Sequence, residues 1–307
     1  MNAALRLSAA TGDDTSASPS RFAFVQVKAF GDLTIAAASL RALPTHALRR
    51  CSLLIGPHLD DLASALAPNC AVETLALAER GVPPIFDMKR HGLAAGIRSA
   101  LSLREALRIA APGAILVMPR SARRERFVAG RRPVTAMPTA ENVYLAHERF
   151  LQAQFGASTT AHSAPTPGPL SRRIALCPFS RVATKNVPEP LVADMAATCV
   201  GAGFEPELLL LEGEQMERPP AGLAVRTLPR RFGALAEALA GYAGVISADS
   251  LAAHLAEYRG TPAFVATRVP NTYWLPARTF KGRHWGLFDD TPELTAHLQR
   301  FLDTAQP

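Results

Sequence analysis

A short apolar run at residues 244–247 leads into Ala248-Asp249-Ser250-Leu251-Ala252-Ala253-His254, a polar turn that opens a helix carrying an imidazole. The free N–H groups of a helix start converge on one point, and the helix dipole makes that point attractive to phosphate. The same residues also suit a plain cap, with Asp249 or Ser250 accepting from the first turn and His254 half-buried on the helix. A second polar stretch follows the apolar run 174–177: Pro178-Phe179-Ser180-Arg181-Val182-Ala183-Thr184-Lys185-Asn186-Val187-Pro188. Hydroxyls, a guanidinium and an ammonium at a strand's end can hold phosphate oxygens, although a solvated surface loop has the same composition. The third stretch is Val27-Lys28-Ala29-Phe30-Gly31-Asp32, where Gly31 permits a tight turn and Asp32 stands at the start of a helix. Capping is the ordinary use of an aspartate there. The G-x-G-x-x-G fingerprint of a dinucleotide site is absent.

Three polar turns after three apolar runs need a scaffold that brings strand ends together. Apolar runs alternate with amphipathic segments along the chain, which is the signature of βα units on a parallel sheet. Strands are predicted at residues 22–28, 51–56, 72–77 and 114–118, with helices at 32–42, 59–66, 93–109 and 141–155. Residues 157–171 are rich in Ser, Thr, Pro and Gly and keep neither period, so they read as a linker. The alternation then restarts: strands at 174–177, 207–211, 244–247 and 263–266, helices at 190–201, 232–240 and 250–258. The chain is therefore an α/β protein with two tandem Rossmann-like halves, 21–156 and 172–307, after a loose tail at 1–20. Ligands of such sheets lie beyond the carboxyl ends of the strands.

The 307 residues suit two domains of ordinary size, and 48% hydrophobic with 19% charged residues describes a globular chain with ample core. The longest apolar runs, 35–38, 114–118 and 208–211, fall far short of the ~20 residues of a membrane span. The first residues lack the apolar stretch and cleavage site of a signal peptide, which predicts a cytoplasmic chain. Cys51, Cys70, Cys177 and Cys199 have no C-x-x-C spacing and read as free thiols, with no metal site among them. A net charge of +7, with arginines clustered at 120–132, 172–173 and 230–231, suits an anionic partner or a merely basic surface. Nothing in the spacing of aromatics or of Cys and His supports nucleic acid.

The three stretches have a common likeness. Residues 25–44 resemble an opening strand, a Gly-Asp turn and a helix ending in Ala38-Ser39-Leu40-Arg41-Ala42-Leu43. Residues 174–188 resemble a strand, loop and Lys-x-Trp-Pro element with Lys185 and Pro188 retained. Residues 246–262 resemble Asp-Thr-Gly-x-x-His-Leu-Ala-x-x-x-Gly-x-Pro, and Trp274-Leu275-Pro276 matches the Trp-x-Pro that follows. All are features of the heptosyltransferases of glycosyltransferase family 9, which make bacterial surface glycans such as lipopolysaccharide, and the likeness runs over residues 21–276 in order. Three positions depart from the pattern: Leu251 stands for glycine, Val187 for tryptophan, and Phe179 for glycine.

The resemblance implies a GT-B fold, two Rossmann-like domains facing a cleft, the first on the acceptor side and the second binding the nucleotide sugar. It implies inverting transfer from a nucleotide sugar, ADP-heptose above all, to a glycan or lipid-linked acceptor, without cofactor or metal. The absence of an Asp-x-Asp element agrees with the last point. Carried over by position, Asp32 is the general base and Lys185 the cation at the leaving diphosphate. Ser180, Arg181, Asp249, Ser250, Leu251 and His254 line the donor site, and Glu217 meets the ribose hydroxyls. A basic chain of this kind is compatible with peripheral contact at the inner membrane. The alternative is a non-catalytic nucleotide-sugar-binding or scaffold protein on a degenerate GT-B frame, which the Leu251 and Val187 departures would suit. A sugar-nucleotide epimerase on the same fold has only the fold in its favour.

Overall fold

The computed structural model describes residues 21–119, 123–156 and 171–305. The tail at 1–20 and nearly all of the linker segment lie outside the described residues. In the first half, β1 (Phe22–Gln26), β2 (Cys51–Ile55), β3 (Ala71–Thr74), β4 (Ile115–Met118) and β5 (Val134–Ala136) form one parallel sheet in the order β3-β2-β1-β4-β5. In the second half, β6 (Arg173–Cys177), β7 (Glu205–Leu211), β8 (Ala224–Leu228), β9 (Gly244–Ala248), β10 (Ala263–Thr267) and β11 (Trp285–Leu287) form another, in the order β11-β10-β9-β6-β7-β8. The central strands are near-continuous apolar runs because helices cover both faces. Every residue of β1 and of β9 is buried.

Each sheet reverses direction once. The order turns at the β1/β4 pair in the first half and at the β6/β9 pair in the second. Such a reversal sends the loops from two neighbouring strands to opposite sides and opens a crevice at their carboxyl ends.

The alternating elements appear within a few residues of where the sequence predicts them, and others are added: three strands, the short helices Thr45–Leu48, Met88–His91, Arg123–Ala129 and Ala277–Gly282, and a long last helix. β5 and β11 are three residues long, too short to carry a period. β8 is an edge strand whose first four residues are exposed, so it has no apolar pattern to read. The helix Thr291–Ala305 buries Leu294, Leu298, Phe301 and Leu302 against the second sheet. Gly244 makes room for that helix, since a Cβ there would lie 2.9 Å from Phe301 Cζ.

The halves are in direct contact. The helix Phe30–Arg41 buries eight consecutive residues, Leu33 to Leu40, which a helix does only when it is covered on all sides. One side lies on its own sheet and another on the helix Leu251–Arg259 of the second half. Arg41 donates to the Tyr258 carbonyl at 2.8 Å and lies 3.8 Å from the centre of that ring. The Tyr258 hydroxyl donates in turn to the Leu66 carbonyl at 2.6 Å. Phe30 and Phe232 meet with ring centres 4.8 Å apart. One apolar core thus runs from Phe22 and Leu33 through to Leu235 and Leu255.

Candidate active site

The crevice of the second half lies between the loop after β6 and the turn after β9. The loop is held in shape from within: the Ser180 N–H donates to Asn186 Oδ1 at 2.8 Å, and the Val187 N–H to the Pro178 carbonyl at 2.9 Å. Val187 turns inward and is 4% exposed, so the residue that departs from the tryptophan pattern fills core space. Lys185 projects across the crevice and pairs with Asp249 at 2.7 Å. The lysine keeps 44% of its side chain exposed, so it remains open to an anion from solvent.

Ser250 is the N-cap of the helix Leu251–Arg259, but its side chain makes no capping bond. Its hydroxyl lies 3.2 Å from Ser247 Oγ instead. The cap reading of this serine therefore fails, and the first N–H groups of the helix receive no side-chain acceptor from it. Leu251 is the first helical residue and packs partly buried against the shared core. Arg181 is exposed and lies 5.5 Å from the Phe30 ring of the other half. Glu217 is exposed beyond the carboxyl end of β7, its N–H donating to Glu189 Oε1 at 2.7 Å.

His254 occupies a different environment. It is 7% exposed, and its Nδ1 lies 3.1 Å from the Tyr144 hydroxyl of the first half. A Cβ on Gly31 would come within 3.3 Å of its ring, so the glycine of the Gly31-Asp32 turn lets the imidazole approach the first-half helix. Burial pushes the His254 pKa down to about 4, with Lys185 adding to the fall and Asp249 opposing it. At neutral pH this is an uncharged ring joining the two halves.

Asp32 lies in the first turn of the helix Phe30–Arg41, whose N-cap is Ala29 and not the aspartate. It is half-buried and lines a recess at the carboxyl ends of β1 and β4. Gln26, Ile35, Pro119, Met137, Val143 and His147 complete the wall from the first half, and Tyr273 and Trp274 from the second. The recess has about 310 Å³ of space counting its open mouth. Asn142 fixes its roof: it caps the helix Val143–Phe155 by accepting from the Tyr144 N–H at 2.9 Å, and donates to the Leu275 carbonyl at 2.9 Å and the Thr272 carbonyl at 3.1 Å.

The structure thus gathers Ser180, Lys185, Asp249, Ser250 and Leu251 at one switch point and sets Asp32 at the other. His254 packs between the halves, and Glu217 stands at the periphery. Gln26, Asn142, Tyr144 and His147 were not singled out from sequence. Gln26 carried a signal, being the one polar residue in Phe22-Ala23-Phe24-Val25-Gln26-Val27.

No family model matches the chain, and no curated protein does. Solved structures do. E. coli heptosyltransferase WaaC, solved with ADP, superposes with a TM-score of 0.61 over 93% of this chain and 99% of its own, at 14% identity. A family 9 glycosyl transferase from Veillonella parvula gives 0.61 over 95% and 100%, at 16% identity. The fold is GT-B. E. coli ADP-heptose lps heptosyltransferase II gives 0.53 over 92% and 99%, at 11% identity. This is the fold that the sequence resemblance implies.

Proposed function

We propose that the chain is a glycosyltransferase of the heptosyltransferase type, and that it moves a sugar with inversion and without metal from a nucleotide sugar to a glycan or lipid-linked acceptor. One observation carries the reading: the switch point of the second half holds the Lys185–Asp249 pair and that of the first holds Asp32, and Arg181 near Phe30 and His254 beside Gly31 bring the two turns together. A solved neighbour of the same fold holds ADP, which favours ADP-heptose as donor.

In this reading residues 21–156 carry the acceptor and residues 172–307 the donor. The diphosphate takes Lys185 as its cation, with the Ser180 hydroxyl, Arg181 and the free N–H groups that follow Ser250 as further donors. Asp249 keeps the Lys185 ammonium aimed at the crevice, and Glu217 meets the ribose. The acceptor oxygen attacks the anomeric carbon as Asp32 takes its proton, while the bond to the diphosphate breaks and its electron pair stays on the phosphate oxygen. Lys185 stabilises the charge that develops there, an effect of a few kcal/mol once water is excluded. His254, neutral and tied to Tyr144, joins the donor helix to the acceptor half. The net charge of +7 suits an anionic donor and a phosphorylated or membrane-borne acceptor, with contact at the inner membrane face. The work is cytoplasmic, in the making of bacterial surface glycan such as lipopolysaccharide.

The test is a thermal-shift screen against ADP, UDP, GDP and their sugars, followed by a transfer and hydrolysis assay with the best donor, because a ligand of the folded state raises its melting temperature. Stabilisation by ADP and ADP-heptose with turnover supports the reading. A second reading, a non-catalytic nucleotide-sugar binder, is favoured by the apolar packing of Phe30 on Phe232 and of Gly31 on His254 beside the crevices. Binding without either transfer or hydrolysis would favour it, and no nucleotide binding at all would remove both.

A further inference from the structure

The helix Leu93–Ala110 packs Ala100, Leu103, Ala106 and Leu107 into the core under the first sheet. The outward side of such a helix is ordinarily polar. In its first half it is not: Leu93, Ile97 and Leu101, each four residues from the last and so in one stripe, are 68%, 44% and 52% exposed. Basic side chains border the stripe. Arg98 and Arg104 are exposed on the same helix, and Lys89 and Arg90 on the short helix Met88–His91. Met88 packs that short helix against Gly96, where a Cβ would lie 2.6 Å from Met88 Cγ. Residues 88–104 contain these four cations and no Asp or Glu. We propose that this face docks on the headgroup layer of an anionic lipid bilayer, with Leu93, Ile97 and Leu101 seated between headgroups and Lys89, Arg90 and Arg98 at the lipid phosphates.

Charge selects the occupant. A two-fold contact with a second copy would set the four cations of one face against the same four of the other, whereas an anionic bilayer offers phosphates to the cations and an apolar boundary to the aliphatic stripe. The opposite side of the helix stays packed in the core, so the helix lies on the bilayer surface and does not enter it. The same character continues beside it: Arg104 lies over Gly130, where a Cβ would stand 2.5 Å from its Nε, and the helix Arg123–Ala129 exposes Phe127 by 47% with Arg123 and Arg124. Placement gives the docking its use. The helix Leu93–Ala110 leads from β3 to β4, two parallel strands, so it runs back against their direction and starts at their carboxyl ends. Asp32 stands at that same end, where a bilayer would present a lipid-borne acceptor. This use rests on the acceptor-side reading of Asp32, whereas the docking itself does not.

The experiment is cosedimentation of the full chain with vesicles of phosphatidylglycerol mixed with phosphatidylcholine, and with vesicles of phosphatidylcholine alone. Wild type is expected to bind the mixed vesicles and to bind the zwitterionic ones far more weakly. Two triple variants separate the contributions. Leu93→Gln with Ile97→Gln and Leu101→Gln is expected to bind the mixed vesicles at least about tenfold more weakly, and Lys89→Gln with Arg90→Gln and Arg98→Gln about 100-fold more weakly, since each cation near an anionic surface contributes about fivefold. Both should melt close to wild type and bind ADP as wild type does, because the replaced side chains are exposed and glutamine suits a helix. The proposal is overturned if wild type stays in solution with the mixed vesicles, if it binds both kinds equally, if either variant binds as wild type does, or if either melts well below it. A dimer in sedimentation equilibrium that the apolar variant alone abolishes would make a second copy the occupant and overturn the bilayer. Vesicle binding without ADP binding would leave the docking face standing and refute the donor reading, and ADP binding with turnover but no vesicle binding would do the reverse.

Discussion

Replacing Tyr144 by phenylalanine removes one oxygen and leaves every apolar contact of the ring in place. The lost hydroxyl is the partner of His254 Nδ1 at 3.1 Å, across the boundary between the halves. Tyr144 is 1% exposed and His254 7%, so water cannot replace the bond without opening the interface. An orphaned buried acceptor costs about 1–3 kcal/mol. Against a total stability of about 5–15 kcal/mol this lowers the folding constant by roughly 5- to 150-fold. With a urea slope of about 3 kcal/mol per molar, the midpoint falls by about 0.3–1 M. The shared core running through both halves predicts one cooperative transition, which equilibrium urea unfolding followed by far-UV circular dichroism and by tryptophan fluorescence should report together. His254→Leu in the Tyr144→Phe background tests the origin of the loss, since removing both partners relieves the orphaned atom and a double-mutant cycle should return a coupling of about 1–2 kcal/mol. A Tyr144→Phe protein within about 0.5 kcal/mol of wild type, the usual range of neutral changes, would refute the assignment of this bond as a tie between the halves.

Asp32→Asn should leave nucleotide binding intact and slow transfer by about 100-fold or more in a steady-state assay, the loss expected of a general base; unchanged turnover removes Asp32 from the mechanism. Lys185→Ala should raise the Kd for ADP in calorimetry and also lower kcat, because one ammonium meets the diphosphate both before and during bond breaking, and EDTA should change neither rate nor affinity in wild type. If magnesium restores an EDTA-treated enzyme, Lys185 is not the group that meets the leaving charge. Leu251→Gly should lower the melting temperature, since it removes an apolar contact and frees the unfolded backbone, yet hold or improve ADP affinity by opening the first turn of the helix; loss of affinity would separate that helix start from phosphate. Stability should rise with pH between about 5 and 6.5. His147 and His254 stay neutral in the folded state with pKa values near 4, while the unfolded chain takes up the protons near 6.5, so each contributes about 2 kcal/mol at neutral pH that is lost by pH 5. Equal unfolding free energies at the two ends of that window would show that neither ring is held neutral.

The two sheets were legible because their central strands, such as Phe22–Gln26 and Gly244–Ala248, are unbroken apolar runs bounded by turn residues. Of the edge strands only Ala71–Thr74 was read. Ala224–Leu228 exposes Ala224, Val225, Arg226 and Thr227, and nothing in five such residues distinguishes a strand from a loop. The polar turns were legible as chemistry for the same reason as the strands: Lys185 and Asp249 each follow an apolar run, and a parallel sheet brings such positions to one end. Their pairing at 2.7 Å, across 64 residues of sequence, is set by β6 lying next to β9, which no local pattern encodes.

What the sequence concealed was the division of labour on the helices between the halves. His254 stands at a position that suggests a phosphate contact, yet its ring is turned to Tyr144 and packs close to Gly31, where a Cβ would stand 3.3 Å from it. Three of the arginines that suggested an anion site also have structural uses: Arg132 donates to the Leu107 carbonyl at 2.5 Å and to that of Ala111, Arg173 pairs with Glu207 at 3.6 Å, and Arg230 with Glu214 at 3.8 Å. Net charge therefore overstates the cation available to a ligand, and Lys185 gains weight as an ammonium standing at a switch point and open to solvent. The buried polar side chains give the complementary lesson. Gln26 and His147 are buried where hydrophobic residues would pack at lower cost, and Gln26 Oε1 and His147 Nδ1 have no hydrogen-bond partner among the described residues.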